Sequence, residues 1–172
     1  MKFTTRLLVY WVSIFLAFLI GIMLIIGLLW GIQINPWKLL LAFVIVGVIP
    51  PAIITAYFYK RLDYMESDDT NPPVFTGQKK AALKFSGRTS NAFDEVMQRI
   101  DRQWIISYSD RENNILKFRT DSRMIAWGIG GYVKMENEKT VQVIVYPVFP
   151  NSRREEKVMN QTLRLMQSVL NP

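Results

Sequence analysis

The chain has 172 residues, half of them apolar, with 21 lysines and arginines, 14 aspartates and glutamates and a formal net charge of +7. It contains no cysteine and no histidine, which excludes disulfides, thiol catalysis and cysteine-ligated zinc and removes the commonest general base. Because the apolar residues concentrate in the first 60 positions, the composition predicts a membrane anchor followed by one small domain.

Two uncharged segments near the amino terminus have the length of membrane spans. Residues 7–30 and residues 39–59 contain no charged side chain. A helix over the first would extend roughly 36 Å, and the hydrocarbon core of a bilayer is about 30 Å thick. Residues 31–38 hold glycine, an Asn-Pro pair and a single charge, which is typical of a tight turn. We therefore predict a transmembrane helical hairpin over residues 1–61, with a soluble buried hairpin and a signal peptide as the alternatives.

The basic residues that flank the two segments predict an orientation. Lys2 and Arg6 precede the first span. Lys60 and Arg61 follow the second span, whereas the turn between the spans carries only Lys38. Because cytoplasmic flanks are enriched in lysine and arginine, we expect both termini in the cytoplasm and the hairpin in a bacterial inner membrane.

Small residues and two prolines lie inside the predicted spans. Small side chains four residues apart allow helices to approach closely, either within the hairpin or against another subunit, and the sequence leaves both interpretations open. The adjacent prolines predict a kink, because each lacks an N–H group and clashes with the preceding turn. The candidate packing residues are Ala17, Gly21, Gly27, Gly31, Pro50, Pro51, Ala52 and Ala56.

The rest of the chain predicts a linker and a domain of mixed structure. Residues 62–73 carry four acids, no base and a terminal Asn-Pro-Pro, so we expect an extended connector. Over residues 74–172 the apolar periodicity alternates between that of strands and that of amphipathic helices. The predicted strands cover residues 80–85, 104–109, 115–120, 130–136 and 140–149, and the predicted helices cover residues 91–102 and 152–170.

The order of these elements, β-α-β-β-β-β-α, predicts a membrane-anchored α+β protein. Two hairpins build an antiparallel sheet, and the two helices cover one of its faces in a two-layer domain. This order is similar to that of helix-grip folds, in which a C-terminal helix lies across a curved antiparallel sheet. The resemblance is one of topology only. A bacterial pleckstrin-like domain is the rival fold, although a helix directly after the first strand does not suit it.

The sequence carries no recognisable catalytic or cofactor-binding motif. No nucleophile elbow is present, and the acidic pairs fall in predicted turns and helix starts, where acids are favoured in any case. Residues 68–71 lack the ligand spacing of a calcium loop, and residues 128–131 lack the third glycine of a dinucleotide loop. We therefore predict no enzyme activity, no metal site and no cofactor.

A basic sheet face is the first candidate contact surface. If the apolar residues of the strands point toward the helices, five basic side chains point away from them. This face is either an ordinary solvated surface or a surface that attracts anionic lipid headgroups or an acidic partner. Nucleic acid is not favoured as the partner, because no recognition motif is present. The five residues are Lys80, Lys84, Lys117, Arg119 and Lys134.

An apolar, glycine-rich segment over residues 124–131 is the second candidate. It is either a buried crossover or irregular strand, or an exposed loop that touches the membrane surface or a partner. Arg123 and Trp127 belong to this candidate contact, since an arginine and a tryptophan suit an interface.

Two hypotheses on function follow from these patterns. The first is a non-catalytic membrane-anchored interaction protein, an accessory or assembly subunit of a bacterial inner-membrane complex. Its partners would be the lipid bilayer and either another membrane protein or a second copy of the chain. The second is a domain of helix-grip type that binds a lipid or another apolar ligand between sheet and helices, lined by residues such as Phe93, Trp104, Phe118 and Met166.

Overall fold

A computed structural model of the protein describes residues 3–31, 35–87, 91–120, 128–150 and 153–172. The chain divides into two units, Met1–Lys60 and Arg61–Pro172.

The first unit consists of long apolar helices. Helix α1 covers Phe3–Trp30, and a second helical run is built from α2 (Pro36–Ala42), a π-helical segment (Phe43–Val48) and α3 (Ile49–Glu66), whose last turns belong to the second unit. The side chain of Asn35 accepts a hydrogen bond from the backbone N–H of Trp37 (3.0 Å) and so caps the start of α2. Thr4–Leu29 and Trp37–Glu66 are long and apolar enough to cross a membrane.

The π-helical segment lies directly before the two prolines. Pro50 and Pro51 have no N–H to donate to the carbonyl groups four residues earlier, which belong to Val46 and Gly47. A π-helical turn changes the register of the backbone hydrogen bonds at this point. At the place where the prolines predict a kink, the structure has a π-helical segment.

Helix α1 packs against the π-helical segment at a glycine outside the predicted small-residue pattern. Gly47 is buried, and a Cβ atom on it would lie 2.5 Å from Cδ2 of Leu16. By contrast, a Cβ atom on Gly21, Gly27 or Gly31 would meet no atom within 4 Å. The predicted alanines, Ala17, Ala52 and Ala56, are exposed. Close approach within the hairpin thus occurs at Gly47, and the predicted small residues do not provide it.

The second unit has the predicted α+β order. Its five strands form one antiparallel sheet with the order β1-β5-β4-β3-β2. Helices α4 and α5 pack on one face of this sheet, over a core that includes Leu83, Val96, Leu116, Val143 and Met166. The elements are β1 (Lys79–Lys84), α4 (Ala92–Asp101), β2 (Ile105–Asp110), β3 (Ile115–Arg119), β4 (Ile129–Asn137), β5 (Thr140–Pro147) and α5 (Arg153–Leu170).

The other face of the sheet is partly covered by the segment that the sequence analysis expected to be an extended connector. Helix α3 continues to Glu66, and Leu62 and Met65 are buried. We call residues 61–76 the strap. The strap is held from three strands: Ser107 donates a hydrogen bond to the carbonyl of Met65, Tyr132 donates one to Thr70, and Lys117 binds the end of α3. The predicted two layers are therefore joined by a partial third layer.

Helix α5 ends without a basic residue in its own last turn, and α4 supplies one. The guanidinium of Arg99 donates to the carbonyl groups of Val169 (3.1 Å) and Leu170 (3.0 Å) and pairs with Glu95 (2.6 Å). A cation at the carboxyl end of a helix satisfies free carbonyl groups and complements the helix dipole. Arg99 therefore fastens the two helices to each other.

Candidate functional site

The basic sheet face predicted from the sequence is divided by the strap. Lys117 is 0% exposed and Arg119 is 8% exposed, so the expectation that both point into solvent is wrong. Lys80, Lys84 and Lys134 are exposed, as expected. The alternation of the strands placed all five residues on the correct face, and the difference arises because the strap covers part of that face.

Lys117 caps the carboxyl end of helix α3. Its ammonium group donates to the carbonyl groups of Tyr64 and Ser67 (2.9 Å each) and to the hydroxyl of Ser67 (3.1 Å). Helix α3 has no basic residue in its own last turn. All three N–H donors of the lysine therefore have partners, and the positive charge lies at the negative end of the helix dipole.

Aromatic rings and acids complete the environment of this ammonium group. The Nζ atom lies 3.8 Å from the ring centroid of Tyr64 and 5.4 Å from that of Tyr108, within the range of a cation–π interaction. Burial lowers the pKa of Lys117 to about 8, and the nearby carboxylates of Asp69, Asp68 and Asp63 oppose that shift. Lys117 is thus a buried structural cation, and in this arrangement it is inaccessible to a lipid or a partner.

A cluster of aromatic residues lies beside Lys117, where Tyr64 and Phe75 of the strap meet Tyr146 of β5. The ring of Tyr146 lies 5.9 Å from that of Tyr64 and 4.8 Å from that of Phe75. The guanidinium of Arg61 lies 5.2 Å from the ring of Phe75 and donates to the carbonyl groups of Pro147 (2.6 Å) and Thr76 (3.0 Å). Burial raises the pKa of Tyr64 and Tyr146 above the usual value, so both phenols stay neutral near pH 7.

The buried lysine predicts a pH dependence of stability. Since the pKa of Lys117 is about 8 in the folded protein and 10.5 when unperturbed, the unfolded chain binds more protons between these values. The free energy of unfolding should therefore rise with pH across this window, by about 1 kcal/mol per pH unit. Below pH 8 the lysine is protonated in both states and contributes no slope. The raised pKa values of the tyrosines oppose this rise from about pH 9 upward, where the tyrosines of the unfolded chain begin to ionise.

Urea unfolding of the detergent-solubilised full chain between about pH 7 and about pH 9 measures this slope before the tyrosines contribute. The Lys117→Met variant serves as the control, because it lacks the titrating group and should show no rise in this range. An equal slope in both proteins would assign the pH dependence to other groups.

The exposed lysines form an open patch on the uncovered part of the sheet. Lys80 and Lys84 lie on β1, and Lys134 on β4 is paired across the sheet with Gln142, which is paired in turn with Ala82. None of the ion pairs among the described residues involves these three lysines. The patch is therefore available to solvent or to an anionic group.

Only part of the glycine-rich segment lies within the described residues. Arg123 and Trp127 lie outside them, in residues 121–127. Gly130 and Gly131 belong to β4, where the rings of Tyr146 and Phe118 occupy the space that a Cβ atom would fill. Residues 128–131 are therefore buried, and β4 begins within them at Ile129. This part of the segment agrees with the interpretation as a buried crossover or strand.

The four residues expected to line an apolar pocket all belong to the buried core of the second unit. Phe93, Trp104, Phe118 and Met166 are all buried, and the rings of Trp104 and Phe118 pack 5.4 Å apart. Two open grooves lie at the margins of this core, and Phe93 lines the first of them. One of about 410 Å³ lies between the start of α4 and the turns of the two hairpins, and one of about 450 Å³ lies between the starts of β1 and α5.

The described residues contain no group of three or more acidic side chains that could hold a metal ion. No protein-family model matches the chain, and no curated protein is detectably similar to it in sequence. The geometry of the chain itself is therefore the basis for a functional proposal.

Proposed function

We propose that this protein is a non-catalytic, membrane-anchored interaction protein, an accessory or assembly subunit of a bacterial inner-membrane complex. In this proposal α1 and the helical run from α2 to α3 are the two membrane spans. The α+β unit, which begins at Arg61, is then held in the cytoplasm close to the bilayer.

The observation that carries this proposal is the apolar surface of the helices. In the most apolar stretch of the first helix, only 6% of the residues are buried within the protein. In the corresponding stretch of the second helix, 17% are buried. A core helix of a soluble protein would be mostly covered by its own chain. Large exposed side chains such as Phe18, Leu24 and Ile53 are stable in contact with lipid and costly in contact with water.

The orientation with both termini in the cytoplasm is part of the proposal and rests on the basic flanks of the spans. Arg6 and Lys60 lie at the ends expected in the cytoplasm, whereas Lys38 is the single basic residue of the connecting turn. The two predicted spans contain no acidic or basic residue that would mark an ion path of their own.

A cysteine-accessibility experiment tests the anchoring and the orientation together. The chain has no cysteine, so a single cysteine introduced at Lys38 or at the exposed Glu112 is the only thiol. We expect the chain to stay in the membrane after alkaline carbonate extraction. A membrane-impermeant maleimide added to intact cells should label position 38 and leave position 112 unlabelled until the membrane is opened.

Extraction of the chain by carbonate would contradict the anchoring, and labelling of position 112 in intact cells would contradict the orientation. The interaction role is tested by native mass spectrometry after mild extraction from native membranes. A reproducible additional protein mass is the expected result, and a bare monomer that forms no crosslinks in the intact membrane would contradict it.

A further inference from the structure

The strands of the antiparallel sheet define two ends of the second unit. At one end β2 begins at Ile105, β3 ends at Arg119 and β5 ends at Pro147, and the cross-strand register aligns these positions. Arg61 donates to the carbonyl of Pro147 at this same end. Because Arg61 follows Lys60 directly, the chain enters the second unit here. We call this end of the sheet the entry end.

Of the four large apolar side chains that the described part of the second unit leaves exposed, three lie at the entry end, and the fourth, Leu165, lies near the end of α5. Val74 is 87% exposed, Phe149 is 41% exposed and Ile105 is 40% exposed. Ile105 is the first residue of β2, Phe149 follows the end of β5, and Val74 precedes Phe75, whose ring packs on Tyr146. Apolar side chains that a soluble unit leaves exposed together indicate a contact surface.

The charges of the second unit are distributed unevenly between the two ends. Helix α5 begins at the entry end, where Lys79 pairs with Glu156 (3.0 Å), and it finishes at the opposite end, where Leu170 accepts from Ser86. Among the described residues, exposed cations outnumber exposed acids at the entry end. The cations are Arg102, Arg153, Arg154 and Lys157, and the acids are Asp101 and Glu156.

The opposite end is not basic. It contains the turns of both hairpins and the start of α4, and its acidic residues balance its lysines and arginines. Among the described residues, the acids are the exposed Glu112, Glu136 and Glu138 and the half-buried Asp94 and Asp110, and the cations are the exposed Lys84, Arg111, Lys134 and Lys139, so this end is close to neutral.

We propose that the entry end is a lipid-contact surface. Val74, Ile105 and Phe149 enter the headgroup region of the bilayer, and the arginines and Lys157 at the start of α5 bind anionic phospholipid headgroups. This inference rests on the proposed membrane anchoring, since the bilayer that holds the spans is the surface nearest to the residue that follows them. Exposed apolar side chains flanked by arginine and lysine are the chemistry of interfacial membrane contact. The exposed lysines Lys84 and Lys134 lie toward the opposite end and take no part in it.

The test uses the full chain in nanodiscs made of an equal mixture of phosphatidylglycerol and phosphatidylcholine. Single cysteines at positions 74 and 149 carry an environment-sensitive fluorophore, and positions 112 and 138 at the opposite end serve as matched controls. We expect blue-shifted emission and quenching by brominated lipid at 74 and 149, and neither at 112 or 138. The charge-reversing double variant Arg153→Glu, Arg154→Glu should lose at least about half of the quenching at position 149.

A fluorophore at position 24, in the first predicted span, separates this inference from the proposed anchoring. Quenching at 24 without quenching at 74 and 149 would overturn the lipid contact and leave the anchoring intact. Absence of quenching at 24 would overturn both. Shielding of 74 and 149 in native membranes but not in nanodiscs would overturn the lipid contact in favour of an acidic protein partner.

Discussion

Replacing Lys117 by methionine is expected to lower the free energy of unfolding of the second unit by about 2–3 kcal/mol. The substitution removes the donor to the carbonyl groups of Tyr64 and Ser67, which leaves the end of helix α3 without its cation. Methionine is close to lysine in volume, so a cavity contributes little to the loss. The gain from no longer burying a charge offsets part of this cost, because burial disfavours the ammonium group.

The matched control is Lys134→Met on the neighbouring strand. Lys134 lies on the same face of the sheet but is exposed, so the same substitution should change stability by less than about 0.5 kcal/mol. Pulse proteolysis of the detergent-solubilised full chain across a urea series measures both variants. Hydrogen exchange should also speed up over residues 61–70 in Lys117→Met alone. Equal effects of the two substitutions would contradict the capping role of Lys117.

The order of strands and helices could be predicted because it depends on local periodicity. The stripe formed by Met159, Leu163 and Met166 has helical spacing, and the alternation of Leu116 and Phe118 has strand spacing. Both patterns persist whatever packs against them. For this reason the predicted elements differ from those of the structure by only a few residues at each boundary.

The strap could not be predicted, because its signals conflict. Leu62, Tyr64 and Met65 are apolar, but the acids Asp63 and Glu66 lie among them, and the prolines follow closely. A polar connector and a half-buried cover have similar compositions. A half-buried cover results when a sheet face lies within reach of the segment, and a polar connector results when none does. That difference is a tertiary property.

The burial of Lys117 is a consequence of the same tertiary contact. Alternation assigns Lys117 and Lys134 to one face of the sheet, and nothing local distinguishes a lysine under the strap from one beside it. In the first unit, the close contact at Gly47 also depends on tertiary packing. Gly47 was not part of a small-residue pair, and only the position of Leu16 makes it the point of close approach.

Gly131→Ala is expected to destabilise the second unit by about 2–3 kcal/mol. Gly131 on β4 is the direct partner of Phe118 on β3, and a Cβ atom there would overlap the ring of Phe118. The ring is fully buried and packs on Trp104, so it has no free space into which to move. In an extended strand without steric conflict, replacing glycine by alanine would ordinarily stabilise the protein slightly. A loss of stability in Gly131→Ala is therefore due to the overlap with the ring of Phe118.

A double-mutant cycle with Phe118→Leu tests the steric origin of this loss. Leucine is shorter than phenylalanine and leaves room for the added methyl group beneath it, although Phe118→Leu alone costs about 1–2 kcal/mol of packing. The double variant should therefore be more stable than the sum of the two single effects predicts, by at least about 1 kcal/mol, measured by the same urea series. Strict additivity would mean that the ring of Phe118 does not occupy the space above Gly131. Gly131 would then be left without a packing reason, whereas Gly130 would keep the ring of Tyr146 as its own.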